Sequence, residues 1–213
     1  MNTKHFLTEV HTSRKYVRQQ DEEGAVTVGY VPGRRAVLKL LNDLLATMII
    51  CLLRYRRHYS MARGIAPINI ANEFMAHAND ELGHVDLIAE RIVQLGGEPN
   101  FSPDSLSKRS HVEYIAADSL ANMIKEDLIA ERISIASYGE MIEYLGDRDP
   151  QTRYMLESIL AVEEKHAEVM AHLLGSLPPR ISRSGVTSAQ LFREPEFNAE
   201  LKNQNFVAFP DSQ

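Results

Sequence analysis

The sequence predicts an all-α protein: a four-helix bundle of two antiparallel hairpins joined by one long crossover, with an extension at each end. Three observations predict it. Four segments carry apolar residues at alternating steps of three and four, the period of helices that bury one stripe. Short breaks separate the first segment from the second and the third from the fourth, which makes each pair antiparallel neighbours. A polar stretch, EPNFSPDSLSKRSH, at residues 98–111 separates the two pairs and is long enough to return the chain along the bundle.

Residues 1–33 form the N-terminal extension. Residues 1–20 carry Lys4, Arg14, Lys15 and Arg18 against Glu9, a surplus that Asp21, Glu22 and Glu23 cancel. The bundle is expected over residues 34–177. Its first helix follows the Pro32-Gly33 break and runs from about Arg34 to Arg63, with the stripe Leu41, Leu44, Met48, Cys51, Tyr55, His58 and Ala62. The second starts near Pro67, a good first-turn residue, and stops at Gly96-Gly97. Its stripe is Ile70, Phe74, His77, Glu81, His84, Ile88, Ile92 and Leu95. The crossover has two prolines and four serines, which leaves room for at most a short helix. The third helix starts at Val112 or Asp118 and ends at Leu145, before Gly146. Its stripe is Leu120, Ile124, Asp127, Glu131, Ser134, Tyr138, Met141 or Ile142, and Leu145. The fourth runs from near Pro150 to near Gly175, with Met155, Ile159, Glu163, His166, Met170 and Leu173 inward. Residues 178–213 have little periodicity and are expected to be ordered partly, or only against a neighbouring subunit.

The chain has 213 residues and a net charge of −6. That charge argues against nucleic acid as a partner, since such binders carry a basic face, and suits a protein that attracts cations. Cys51 is the only cysteine, so an intrachain disulfide and a Cys-rich zinc site are excluded. The N-terminus, MNTKHFLTEV, has no apolar run of signal-peptide length. The longest apolar stretch, Leu44 to Leu53, contains Thr47 and is too short to span a bilayer. A cytoplasmic protein without a membrane segment is the expectation.

The chemistry lies in two copies of Glu-x-x-His, Glu81 to His84 and Glu163 to His166. A carboxylate and an imidazole three residues apart on a helix point the same way, and together form a two-ligand claw for a transition metal. One such claw occurs by chance on many solvated helices. Here both are in phase with a core stripe, and both stand on the second helix of a hairpin. Glu131 lies on a third stripe. An ionised carboxylate on an apolar stripe costs several kcal/mol unless it is paired or bound to a metal. No Lys or Arg shares these stripes near the acids, so the candidate metal ligands are Glu81, His84, Glu131, Glu163 and His166. Glu131 precedes Glu163 by 32 residues, and the matching position before Glu81 falls on Met48, in phase, or Ile49. Two-metal carboxylate bundles take a Glu from each of two helices and a Glu-x-x-His from each of the others. This chain supplies five of those six ligands, with Met48 in the sixth position.

The stretches LNDLL, RYRRHYSMA, NDELGHVDLIAERIVQLGGEPNF, EDLIAERI and ILAVEEKHAEVM, between Leu41 and Leu174, resemble bacterioferritins and related bacterial ferritin-like proteins. The resemblance covers about two-thirds of the chain. It implies a ferritin-like bundle with a dinuclear iron centre that oxidises ferrous iron with oxygen or peroxide, often within a hollow oligomeric cage. By that similarity Glu81 and Glu163 would bridge two irons, His84 and His166 would each bind one, and Glu131 would be a terminal carboxylate. The family's other terminal carboxylate falls on Met48 and its role does not carry over. Tyr55 matches a tyrosine beside the family's iron site, with an ordinary core tyrosine as its alternative. The haem-binding methionine of bacterioferritins falls on Leu82, which has no ligand atom, so no haem is expected.

Two ferrous ions bring four positive charges, and three carboxylates leave one uncompensated. Thioether sulfur is a poor partner for iron among oxygen ligands. The expectation is one tight iron, at Glu131, Glu163 and His166 with or without Glu81, and one loose iron at His84 and the shared carboxylates. Three alternatives stay open: Met48 abolishes fast oxidation and leaves a structural or single-metal site, Asp127 moves in as a substitute ligand, or the chain is a defective copy that assembles with an intact one. The ligand set does not choose between iron, manganese and zinc.

The remaining polar residues have bland readings. His77 is an extra ligand, a proton carrier or a core histidine. Asp80, Asp86, Glu90, Glu164 and Glu168 fall on solvated faces. Arg54, Arg56 and Arg57 reach the surface or pair with acids of the second helix. Cys51 is packing. The function expected is iron capture, ferrous oxidation (a ferroxidase) and storage in a homo-oligomer, a dimer at least. The alternatives are a DNA-protecting particle using the basic residues 1–20, and a scaffold without iron chemistry.

Overall fold

The structure is a computed structural model and describes residues 33–177. The expected N-terminal extension, save Gly33, and the expected C-terminal tail lie outside the described residues. Five helices follow one another: α1 (Arg34–Ala62), α2 (Ile68–Gln94), α3 (Pro103–Arg109), α4 (Leu120–Leu145) and α5 (Pro150–Ser176). No strand occurs among the described residues.

α1 packs along α2, and α4 along α5, as the short links require. The two hairpins meet through α1 against α4 and α2 against α5. The sequence places chain-terminating chemistry at the helix ends. Ser119 accepts from the backbone N–H of Asn122 at the start of α4. Asp149 does the same for Thr152 at the start of α5, where Pro150 opens the first turn. Gly96, after α2, takes a φ of 72°, a conformation that other residues adopt only with strain.

The third bundle helix starts at Leu120, later than Val112 or Asp118. Residues 112–119 form an irregular segment that buries Val112 and Ala117 without a helical stripe, and the Ser119 cap fixes the start. The crossover contains the short helix α3. Its Leu106 docks on Ala46, Ile50, Cys51, Val112 and Ala130, so the long connection is tied to the bundle by its own small apolar cluster. α1 has an 18-residue window of mean hydropathy 2.0, enough by length and composition to cross a bilayer, and broader than the stretch from Leu44 to Leu53. More than half of that window is buried in the bundle, which is the setting of a core helix.

The stripes place two apolar cores at different levels. One contains Leu41, Leu44, Met48, Ile88, Ile92, Tyr138, Met141, Leu156 and Ile159. The other contains Tyr55, Phe74, Ala78, Met123, Ile124, Leu128 and Met170. On α2, α4 and α5 the residues that fall between these sets are Glu81, Glu131, Glu163 and His166. The polar residues thus occupy a middle layer, closed at both ends by apolar packing.

Candidate metal centre

Helical periodicity brings all five predicted ligands into that layer. Glu81, Glu131, Glu163 and His166, from α2, α4 and α5, offer ligand atoms that all lie within 4.8 Å of one another. The three carboxylates are fully buried. His84 joins from the Glu163 side. Its Nδ1 is 2.9 Å from Glu163 Oε1 and 3.7 Å from Glu81 Oε2, close enough for an ion pair but not aligned as a hydrogen bond. Both oxygens of Glu81, both of Glu163 and Oε2 of Glu131 have no hydrogen-bond partner. Buried carboxylate oxygens are ordinarily satisfied. Orphaned oxygens from three helices, aimed at one another, fit a cation shared among them.

The electrostatics express the same crowding. Burial, and then the charge of Glu163, pushes Glu81 up to about 8. Burial and Glu163 also hold Glu131 well above the usual carboxylate range. Burial pushes Glu163 up, but its contacts with His84 and Glu131 outweigh that and bring it below its ordinary value. Burial pulls His84 down, and the carboxylates of Glu163 and Glu81 overcome it, raising the imidazole to about 9.

Two residues read from sequence as surface groups belong to this centre or its support. Asp80 is half-exposed, yet its Oδ2 lies 3.0 Å from His166 Nε2. If Nε2 donates to Asp80, Nδ1 keeps its lone pair and faces Glu131, 3.9 Å away. A carboxylate behind a histidine is the usual way of orienting a metal-binding imidazole. The signal available in the sequence was adjacency: Asp80 precedes a ligand, and its helix position turns it towards α5. Arg54, expected at the surface or on a second-helix acid, is instead 2% exposed and bound to α4. Its guanidinium donates to Asp127 Oδ1 at 3.1 Å and to the Glu113 carbonyl at 3.1 Å. His58 Nδ1 meets the other oxygen of Asp127 at 2.8 Å. Asp127 therefore has two buried partners already, which explains its place on an apolar stripe without a metal. Arg56 stays exposed beside Met75, and Arg57 donates to the Ala117 carbonyl.

Around the acids stand four further groups. The Tyr55 phenol donates to Glu131 Oε1. The His77 ring stacks on that of His166 with centroids 3.8 Å apart. Burial, and then the nearby His166, lowers His77 to about 3, so its imidazole is neutral. Cys51 is buried in the α3 cluster, and burial followed by the charges of Glu81, Glu131 and Glu163 pushes its thiol up. Met48 is fully buried, and its sulfur accepts a hydrogen bond from the Tyr138 hydroxyl at 2.9 Å. Leu82 lies outside the centre, 45% exposed.

A family model described as the ferritin-like domain matches residues 38–179. Among curated proteins, the chain is 33% identical over 139 residues to a nutrient stress-induced DNA-binding protein of Nostoc sp., covering 63% of this chain and 74% of that protein. It is 28% identical over 138 residues to a bacterioferritin of Mycobacterium avium, covering 65% and 83%. It is 24% identical over 144 residues to a DNA protection during starvation protein of Brevibacillus brevis, covering 66% and 96%. Among solved structures, a dodecameric thioferritin, the bacterioferritin-related protein of Bacteroides fragilis, matches with a TM-score of 0.64 and 24% identity, over 67% of this chain and 86% of that one.

Proposed function

The chain belongs to the ferritin-like family, and from that premise we propose that it captures ferrous iron between α2, α4 and α5 and oxidises it, in an assembly of identical chains. One observation carries the reading: the buried, unpartnered oxygens of Glu81, Glu131 and Glu163 converge with the ligand nitrogen of His166. Three carboxylates and two imidazoles suit iron, manganese or zinc, and the ferritin-like family points to iron. The two halves of the centre are unequal. Glu131, Glu163 and His166, the last oriented by Asp80, hold one iron tightly. His84 and the shared carboxylates hold the other loosely, because α1 contributes Met48, whose sulfur is engaged by Tyr138. Ferrous oxidation balances when two irons give one electron each to hydrogen peroxide, which leaves as two hydroxides, or to oxygen, which takes up two protons and leaves as hydrogen peroxide.

The proposal includes no haem, since Leu82 carries no ligand atom, and a cytoplasmic location. Assembly into a shell follows the dodecameric relative from Bacteroides fragilis. Anaerobic calorimetry with Fe²⁺ tests the centre: one tight and one weak ion per chain is expected, and two equally tight ions, or none, overturns it. A second reading, DNA protection, is favoured by the names of the Nostoc and Brevibacillus relatives and by the basic residues 1–20. A gel shift at low salt, with and without those residues, decides it. Metal analysis of the purified protein separates both from a scaffold without iron.

A further inference from the structure

The geometry points to His77 as an additional metal ligand, which binds with Glu131 and His166 the ion on the His166 side and makes that half a two-imidazole site. The inference rests on the proposed function and deepens it.

His77 stands one turn before Glu81 on α2 and is 3% exposed. His77, Glu131 and His166 each offer a ligand atom, and these atoms lie within 4.8 Å of one another. Donors on one ion stand about 2.0–2.2 Å from it, so they are separated by up to roughly 4 Å. Small side-chain rotations bring the three donors to that separation. The ring planes of His77 and His166 are nearly parallel, 17° apart, and a nitrogen lone pair lies in its ring plane, so the His77 ring turns out of the stack to aim its nitrogen at the ion that His166 faces. Tyr55 meets the His77 ring in a T-shaped contact, with centroids 5.1 Å apart.

Packing explains the stack but not the nitrogen. His77 Nδ1 is buried without a hydrogen-bond partner, as are His166 Nδ1 and Glu131 Oε2. A phenylalanine would fill the same space without that penalty. Three orphaned donors on α2, α4 and α5 are accounted for together by one cation. The centre then differs from the two-metal carboxylate pattern at both ends. α1 supplies Met48 where that pattern has a carboxylate, and α2 adds an imidazole to the opposite ion. A second imidazole makes that half softer, favouring Co²⁺, Zn²⁺ or Fe²⁺ over Mn²⁺.

Co²⁺ is the probe, because its visible bands shift with coordination number and with a change of donor set. The full-length protein, His77→Phe and Glu163→Gln are titrated anaerobically. His77→Phe keeps the ring stack and removes the donor. The expected result is tight Co²⁺ binding by the parent, with affinity at least tenfold weaker and a shifted visible spectrum in His77→Phe. Parent-like affinity and spectrum in His77→Phe overturn the inference. If Glu163→Gln weakens binding and His77→Phe does not, only the His77 assignment fails. If the parent takes up no Co²⁺, or Glu163→Gln binds as the parent does, the proposed function fails and this inference with it. Should His77→Phe not fold, anomalous diffraction from Co²⁺-soaked parent crystals decides: a His77 nitrogen within about 2.5 Å of the ion supports the assignment, and one beyond about 3 Å overturns it.

Discussion

Tyr138 donates its hydroxyl to the sulfur of Met48 across the bundle, from α4 to α1, at 2.9 Å. Both side chains are fully buried. Burial, and then the charges of Glu163 and Glu81, push the phenol up, and it points its proton at the thioether. The pair is a satisfied, neutral contact at the residue that sequence spacing aligns with the absent sixth ligand. The residue that leaves the centre one carboxylate short is thus well packed in its own right.

Met48→Glu is expected to raise the number of tight irons per chain from one to two and to speed ferrous oxidation, read by anaerobic titration and by the absorbance of ferric product. The introduced carboxylate inherits the Tyr138 hydroxyl as a donor. Without metal, the same variant adds a fourth buried acid and should lose about 2–4 kcal/mol of stability in denaturant melts. A variant with unchanged iron stoichiometry would show that the missing carboxylate is not what weakens the second half.

The pH dependence has a definite sign. Glu81, raised from 4.5 to about 8, and His84, raised from 6.5 to about 9, hold protons at neutral pH that a metal must displace. Metal affinity should therefore climb as pH rises from about 7 to 9, by up to tenfold per pH unit for each proton released. Metal-free stability runs the other way. Both groups have folded values above their unfolded ones, so their contribution is complete below the unfolded values and lost as pH rises through about 8 and 9. Glu163, shifted down, has completed its contribution below this window. Thermal melts from pH 6 to 9 should show the metal-free Tm falling and the metal-loaded Tm holding. Parallel curves would mean that these groups do not face a bound ion.

Much of this molecule is legible in one dimension because a helix repeats. Steps of three and four placed the stripes, and the same arithmetic put Glu81, Glu131, Glu163 and the histidines in one layer. Pro150, Gly96 and Gly146 marked helix ends through their backbone chemistry. The start of α4 was less legible, since Val112 and Ala117 are apolar whether buried by a helix or by a loop. Arg54 was misread, and the contact of the exposed Asp80 with His166 was missed, for another reason. A stripe tells which face is inward, but not which long side chain reaches across to a neighbouring helix. Arg54 stands beside the α1 stripe and folds under it to Asp127. Asp80 stands beside the α2 stripe and reaches α5. Pairing across helices depends on crossing geometry, which no single helix encodes.

That distinction can be tested at Asp127. The sequence leaves it open as a substitute ligand, while the structure commits it to Arg54 and His58. Asp127→Asn should strand the Arg54 charge in the interior and cost about 3–5 kcal/mol in chemical denaturation. Tight iron per folded chain should not change. A loss of the tight iron with little loss of stability would return Asp127 to the ligand set.

Asp80 gives the complementary case, a residue outside the cluster that would act on metal through a proposed ligand. Its Oδ2 meets His166 Nε2 at 3.0 Å and fixes which ring nitrogen faces Glu131. Removing such a partner typically lowers metal affinity 10–100-fold. Asp80→Ala should show that loss in Fe²⁺ or Co²⁺ titrations, while its exposure keeps the melting temperature within a few degrees of the parent. Asp80→Glu, with a longer reach to the same nitrogen, should recover part of the affinity. A merely structural Asp80 would move stability and leave affinity alone. Loss of affinity without loss of stability, partly restored by Asp80→Glu, identifies orientation of His166 as its role.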